Sequence, residues 1–166
     1  SWGDKRNSEI PDYLQESFKE RSGTRRLEVE AEAALPVLGN VFFIGMHGIE
    51  MKTDDPYVPI SDQIRFGGAT TIRGYPEDFF SGDLAGWTNV EYRLITGPGS
   101  RVFLFADAGI FQLKEADGEK RRDTALGFGF GLRLETRVGV LGIDYGLGEG
   151  DNVMAGKVHV SVVNRF

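Results

Sequence analysis

From residue 26 onward the chain alternates apolar and polar positions with a period of two, broken at intervals by glycine, proline and short polar runs. Residues 26–35 (RLEVEAEAAL) put Leu27, Val29, Ala31, Ala33 and Leu35 on one face and Glu28, Glu30 and Glu32 on the other. That alternation marks a strand with two unlike faces. Further strands are expected at 41–52, whose facing is less clear, and at 83–95, 101–113, 123–135, 138–148 and 156–166. In 123–135, Leu126, Phe128, Phe130, Leu132 and Leu134 oppose Gly127, Gly129, Gly131, Arg133 and Glu135. In 138–148, Leu141, Ile143, Tyr145 and Leu147 oppose Gly142, Asp144 and Gly146. In the last strand, Val158, Val160, Val162 and Phe166 oppose Lys157, His159, Ser161 and Arg165.

The connections alternate in length. Those at 36–40, 96–100 and 136–137 are short, whereas those at 53–82, 114–122 and 149–155 are longer. Membrane β-barrels have short turns on the periplasmic side, longer outer loops and strands of about 9–11 residues. Apolar residues on one face, with glycine and charge on the other, suit lipid outside and a wet lumen inside. A soluble barrel or sandwich is the weaker reading, because a soluble lipid-carrying barrel would reverse the faces. The fold expected is therefore an all-β, transmembrane antiparallel β-barrel, with Phe166 at the periplasmic end. Seven strands leave open edges, which hydrocarbon does not tolerate. Residues 25–166 are thus expected to be the C-terminal portion of a larger barrel, or to complete one by association. Residues 1–24 form a polar segment with a short helical pattern at 12–21.

Composition adds exclusions. The net charge of −6 argues against nucleic-acid binding by bulk electrostatics. The absence of cysteine removes disulfides and thiolate metal sites. No run of eighteen apolar residues offers a transmembrane helix, and Ser1–Ile10 is polar, as a mature or truncated start would be.

The chemistry concentrates in 63–75, QIRFGGATTIRGY. Gly67, Gly68 and Gly74 allow tight turns around Arg73 in the long loop 53–82. A buried guanidinium needs a carboxylate, since an unpaired buried charge costs several kcal/mol. In 83–95, Asn89, Glu91 and Arg93 share a face; in 101–113, Phe103, Phe105, Asp107, Gly109 and Phe111 do. These faces must be luminal, because a carboxylate in lipid is costly. Asp107, set among glycine and aromatic residues, is the natural partner for Arg73 if the loop folds back into the lumen.

The series GGATTIRGY, GWTNVEYR, FADAG and a terminal aromatic strand, over about residues 24–166, resembles the barrel of BamA/TamA-type outer-membrane assembly proteins. That superfamily also includes two-partner secretion translocators. The resemblance implies that Arg73, Gly74 and Tyr75 are the tip of a luminal loop, received by Phe105, Asp107 and Gly109. Glu91 and Arg93 match the family's acidic-basic pair, and Phe166 the C-terminal aromatic of the sorting signal. Val160 and Val162 lie on the strand that would form the lateral seam. Family barrels usually have sixteen strands preceded by periplasmic repeats, so the resemblance implies that residues 24–166 are the C-terminal half of such a barrel.

The implied function is insertion of barrel proteins into the bacterial outer membrane, or passage of a polypeptide across it, without cofactor or metal. The implied partners are outer-membrane lipid, client barrel or secreted polypeptides, periplasmic accessory proteins and further copies of the chain. The alternative is a membrane anchor or small oligomeric pore, such as the barrel of a surface or lipase-fused protein. An Arg73–Asp107 bridge that only stabilises the barrel, and a last strand that only closes it, remain open beside the functional readings. Catalysis by His47 or His159 lacks support, because neither HExxH nor GxSxG occurs. GFGFG at 127–131 lacks the Lys-Ser/Thr of a phosphate loop and reads as a glycine-lined strand face. Lys120–Arg122 reads as a solvated loop.

Overall fold

A computed structural model describes residues 24–163 except 56, 116 and 138. The segment expected at the N-terminus, its helical pattern and Phe166 lie outside the described residues. Nine strands are present: β1 (Arg25–Val37), β2 (Asn40–Lys52), β3 (Ile64–Phe66), β4 (Phe80–Gly82), β5 (Leu84–Gly97), β6 (Ser100–Lys114), β7 (Lys120–Thr136), β8 (Gly139–Gly148) and β9 (Lys157–Val163). Seven form one antiparallel sheet in the order β1-β2-β5-β6-β7-β8-β9, and β3 pairs with β4 in a small second sheet. Each large strand pairs with its neighbours in chain order, as an up-and-down barrel wall does. The sheet is open, with β1 and β9 at its edges among the described residues.

Several boundaries differ from those the pattern suggests. The first strand runs through Pro36, which pairs with Val41. Proline lacks a donor, and an edge strand tolerates that loss. The turn then shrinks to Leu38 and Gly39, whose φ angles of 50° and 81° give the double positive-φ geometry of a tight hairpin. Lys120–Arg122, read as loop, opens β7, with Lys120 paired to Lys114 and Arg122 to Gln112. Arg122 Nε donates to Gln112 Oε1 at 3.0 Å across that pair. Polar residues extend these strands beyond the apolar belt, where hydropathy carries no signal.

The facing of β2 is settled by its partners. Phe43, Gly45, His47 and Ile49 lie opposite Glu91, Asn89, Trp87 and Ala85 of β5, on the inner face, while Phe42, Ile44 and Met46 face out. On the outer face Leu104 is 63% exposed and Phe130 54%, and Leu27, Phe128, Val158, Val160 and Val162 are exposed as well. A continuous apolar surface of this extent is what a lipid-facing belt requires.

The inner face is not simply wet. The segment between β2 and β5 folds back over it and carries the β3–β4 hairpin. Phe66 stacks on Trp87 at 5.9 Å and on Phe80 at 5.3 Å, and meets Phe111 edge-on at 5.2 Å. With Ile49, Ile64, Ile72, Ala85 and Ala125 these residues form the buried apolar cluster. Asp83 fastens the returning chain: its N–H donates to Gln112 O at 2.8 Å and its carbonyl accepts from Met51 N at 2.7 Å.

The two faces differ in what they tolerate. Phe128→Lys, near the middle of β7 on the outer face, is expected to cost about 2–4 kcal/mol in a bilayer. Glu32→Gln, exposed on the opposite face of β1, is expected to cost under about 0.5 kcal/mol. Equilibrium unfolding in lipid vesicles measures both, and equal losses would contradict the assignment of faces.

Candidate functional site

Residues 67–75 make a compact knot before meeting the sheet. Gly67 N–H donates to Thr71 Oγ1 at 2.7 Å, Gly68 N–H to Ile72 O at 3.1 Å, and Ala69 N–H to Glu77 Oε1 at 2.8 Å. Gly68 has a φ of 99°, and the Glu77 carboxylate occupies the space a side chain there would need. The knot turns Ile72 and Arg73 toward the inner face, where both are buried.

Arg73 is met by two carboxylates. Its Nε and Nη2 donate to Asp107 Oδ2 and Oδ1 at 2.8 and 2.7 Å, a bidentate fork, and its own backbone N–H donates to Oδ2 at 2.9 Å. Nη1 donates to Glu91 Oε1 at 2.6 Å, and Arg93 Nε donates to the other Glu91 oxygen at 2.7 Å. Asn89 Nδ2 completes Asp107 Oδ1 at 2.9 Å and also holds Thr71 O at 2.6 Å. The guanidinium lies over the Phe105 ring at 3.7 Å from its centroid, and Arg93 over Phe43 at 3.8 Å. Side-chain exposure is 4% for Arg73 and 0% for Asp107, so the pair is desolvated. Burial alone would lower the Arg73 pKa, but Asp107 and Glu91 outweigh it and the pKa is raised. Arg73 and Arg93 together balance Asp107 and Glu91, so this part of the site is neutral.

The loop backbone can come this close because the wall beneath it is glycine. A side chain at Gly127 would overlap the Arg73 carbonyl oxygen, and a Cβ at Gly146 would lie 2.6 Å from Gly74 N. Gly74 itself has a φ of 96°, and a Cβ there would lie 2.6 Å from Gly148 N. A side chain at Gly109 would collide with Ile72. Tyr75 then pins the tip: its hydroxyl donates to Leu126 O and accepts from Glu149 N–H, both at 3.0 Å.

The structure therefore brings together Arg73, Gly74, Tyr75, Gly67 and Gly68 with Phe105, Asp107, Gly109, Glu91 and Arg93. Val160 and Val162 sit apart, exposed on β9. Sequence reasoning did not assign Asn89, or Gly127 and Gly146, to the site. Asn89 shares the face of Glu91 two residues away, which was a usable signal. For the glycines, nothing in the strand pattern says what approaches them. A second ion pair, Arg133 to both oxygens of Asp144 at 2.6 and 2.7 Å, lies beside the site. His47 stacks on Trp87 at 5.2 Å, and one of its ring nitrogens lies with one carboxylate oxygen each of Glu30 and Glu32 within 4.8 Å of one another. His159 Nδ1 is 3.7 Å from Glu77 Oε1.

Removing the Arg73 side chain leaves Asp107 and Glu91 buried without their main cation. Arg73→Ala is expected to cost about 3–5 kcal/mol by the usual penalty for breaking a buried pair. Gly127→Ala, which alters no charge, is expected to release the loop tip and expose 67–75 to protease. Chemical unfolding and limited proteolysis read these effects. A Gly127→Ala protein as resistant as the parent would show that the close approach is not required.

A sequence-family model described as the Omp85 superfamily domain matches residues 18–166. No curated protein matches the chain.

Proposed function

Because the chain belongs to the Omp85 superfamily, we propose that it inserts β-barrel proteins into the outer membrane, or passes a polypeptide across it, by a lateral strand seam braced by the Arg73 loop. The superfamily works in outer-membrane protein insertion and translocation, its members are assembly and transport factors without enzymatic chemistry, and client outer-membrane proteins and lipid are its partners. The all-β wall and the family together point to the bacterial outer membrane.

One contrast supports a braced wall with a seam at β9. The loop tip is fixed to four consecutive strands: to Glu91 on β5, Asp107 on β6, Leu126 on β7 and the glycine-lined backbone of β8. By comparison β9 has seven residues, each paired with β8, and its other edge is open among the described residues. An open edge presents unpaired N–H and C=O groups to which an incoming strand can add. The work is physical: a strand template and a disturbed bilayer lower the barrier to insertion, and no bond is made or broken. Phe166 belongs to this proposal as the end of the sorting signal, and Val160 and Val162 as the lipid-facing side of the seam. Periplasmic accessory proteins and self-association belong to it as partners.

Arg73→Lys separates bracing from simple charge. Lysine keeps the charge but loses the planar fork that Asp107 and Glu91 share. With the full-length protein in liposomes, the variant is expected to keep its heat-modifiable fold and to slow client-barrel folding about tenfold, the equivalent of one lost charge-assisted hydrogen bond. Parental client folding rates, together with a loop shown by proteolysis to be released, would sink the bracing role.

A further inference from the structure

A separate group of metal-ligating side chains stands on the inner face at the other end of the sheet, on β1 and β2. Glu30 and Glu32 lie two residues apart on β1, so both project to the same side. In register Glu30 is opposite His47 and Glu32 is opposite Gly45. Gly45 has no side chain, so nothing on β2 separates Glu32 from His47. One carboxylate oxygen of each glutamate and one ring nitrogen of His47 lie within 4.8 Å of one another. Glu30 Oε1 is 3.7 Å from His47 Nε2, too long for a strong hydrogen bond. Arg26, the cation on the same face of β1, is held by Glu28 at 3.0 Å. Among the described residues no arginine or lysine, Arg65 of the overlying hairpin included, comes within ion-pair distance of Glu30 or Glu32. Trp87 and Asn89, which face His47 and Gly45 from β5, carry no charge.

Two carboxylates brought this close repel each other unless a cation or a proton joins them. We propose that Glu30, Glu32 and His47 bind one divalent metal ion of the zinc class, tying β1 to β2 on the inner face. The charge fits, since two carboxylates and a neutral imidazole offset one dication. The donor set fits as well: an imidazole nitrogen with two carboxylate oxygens suits zinc, whereas calcium asks for more oxygens and magnesium keeps its waters. The imidazole is held in place before any ion arrives. Its side chain is 20% exposed and lies 10° from parallel on Trp87, which is stacked in turn on Phe66 at 6°. Both glutamates are exposed, so they can close onto an ion without displacing other groups. The indole supplies an independent sign. Trp87 is 8% exposed, and its Nε1 is buried without an acceptor. Three protein ligands leave one position of a tetrahedral ion open, and a water held there is an oxygen that neither strand supplies.

The test uses the full-length protein in detergent, stripped with a chelator and then titrated with zinc chloride in a calorimeter. The parent is expected to bind one zinc ion that Glu32→Gln and His47→Gln bind at least about tenfold more weakly. Zinc should raise the unfolding midpoint of the parent and leave those of both variants where they were. In chelator Glu32→Gln should unfold with the parent, because its side chain is exposed, so it carries the test if His47→Gln disturbs the stack on Trp87. Millimolar calcium should not displace the zinc. Equal zinc affinity in the parent and Glu32→Gln would overturn the proposal. So would displacement by calcium, which would mark an acidic surface with no preference for an imidazole-seeking metal.

Discussion

The structure depends on one buried cation. Arg73 lies in a loop, yet it is less exposed than most strand residues, and a guanidinium out of water is tolerated only when its donors are met. That requirement places Asp107 and Glu91 at fixed positions on adjacent strands and Asn89 between them. It also governs the backbone. To bring Nε, Nη2 and its own N–H onto one carboxylate, the Arg73 main chain must lie against the wall, and the wall must be glycine where it does so. The glycine rows of β7 and β8 and the aromatic floor of β6 are therefore parts of the same constraint.

A membrane wall turns the usual order of burial around, and the loop completes that inversion. Leucine, valine and phenylalanine occupy the exposed face, and the charges occupy the covered one. Covering charge with charge alone would leave the inner face poorly packed. The hairpin of β3 and β4 provides the missing apolar matter, with Phe66 and Phe80 set against Trp87 and Phe111. The loop is thus both plug and brace. Its apolar half packs on β2, β5 and β6, and its Arg73 tip locks onto β5 to β8.

How much of this could be read in the chain follows from which signals are local. The strands of the wall were legible because lipid and lumen impose a strict period of two, clearest where leucine and phenylalanine alternate with glycine from Leu126 to Leu134. Ends were less legible, as at Lys120–Arg122, because polar strand tips outside the belt look like loop. The β3–β4 hairpin was read as loop, since IRF and FSG are too short to show a period. Arg73 and Asp107 could be paired from the chain alone, because a lone arginine among glycines and a lone aspartate among phenylalanines each lacks a local partner. The cradle could not. Gly127 and Gly146 look like any small residues on a strand until the chain that rests on them is in place.

The same constraint creates an asymmetry along the sheet. From β5 to β8 every strand is tied twice, to its neighbours by the ladder and to the loop by side chains or close backbone contact. Lateral separation within this stretch would uncover Asp107 and Glu91, so it is opposed by far more than the ladder hydrogen bonds. At β9 the second tie thins to His159 near Glu77 at 3.7 Å, too long for a strong bond, and Lys157 turns instead to Asp151 in the preceding loop at 2.8 Å. Among the described residues the wall is braced in its middle and little at this end. The buried arginine is what makes the middle of the wall hold.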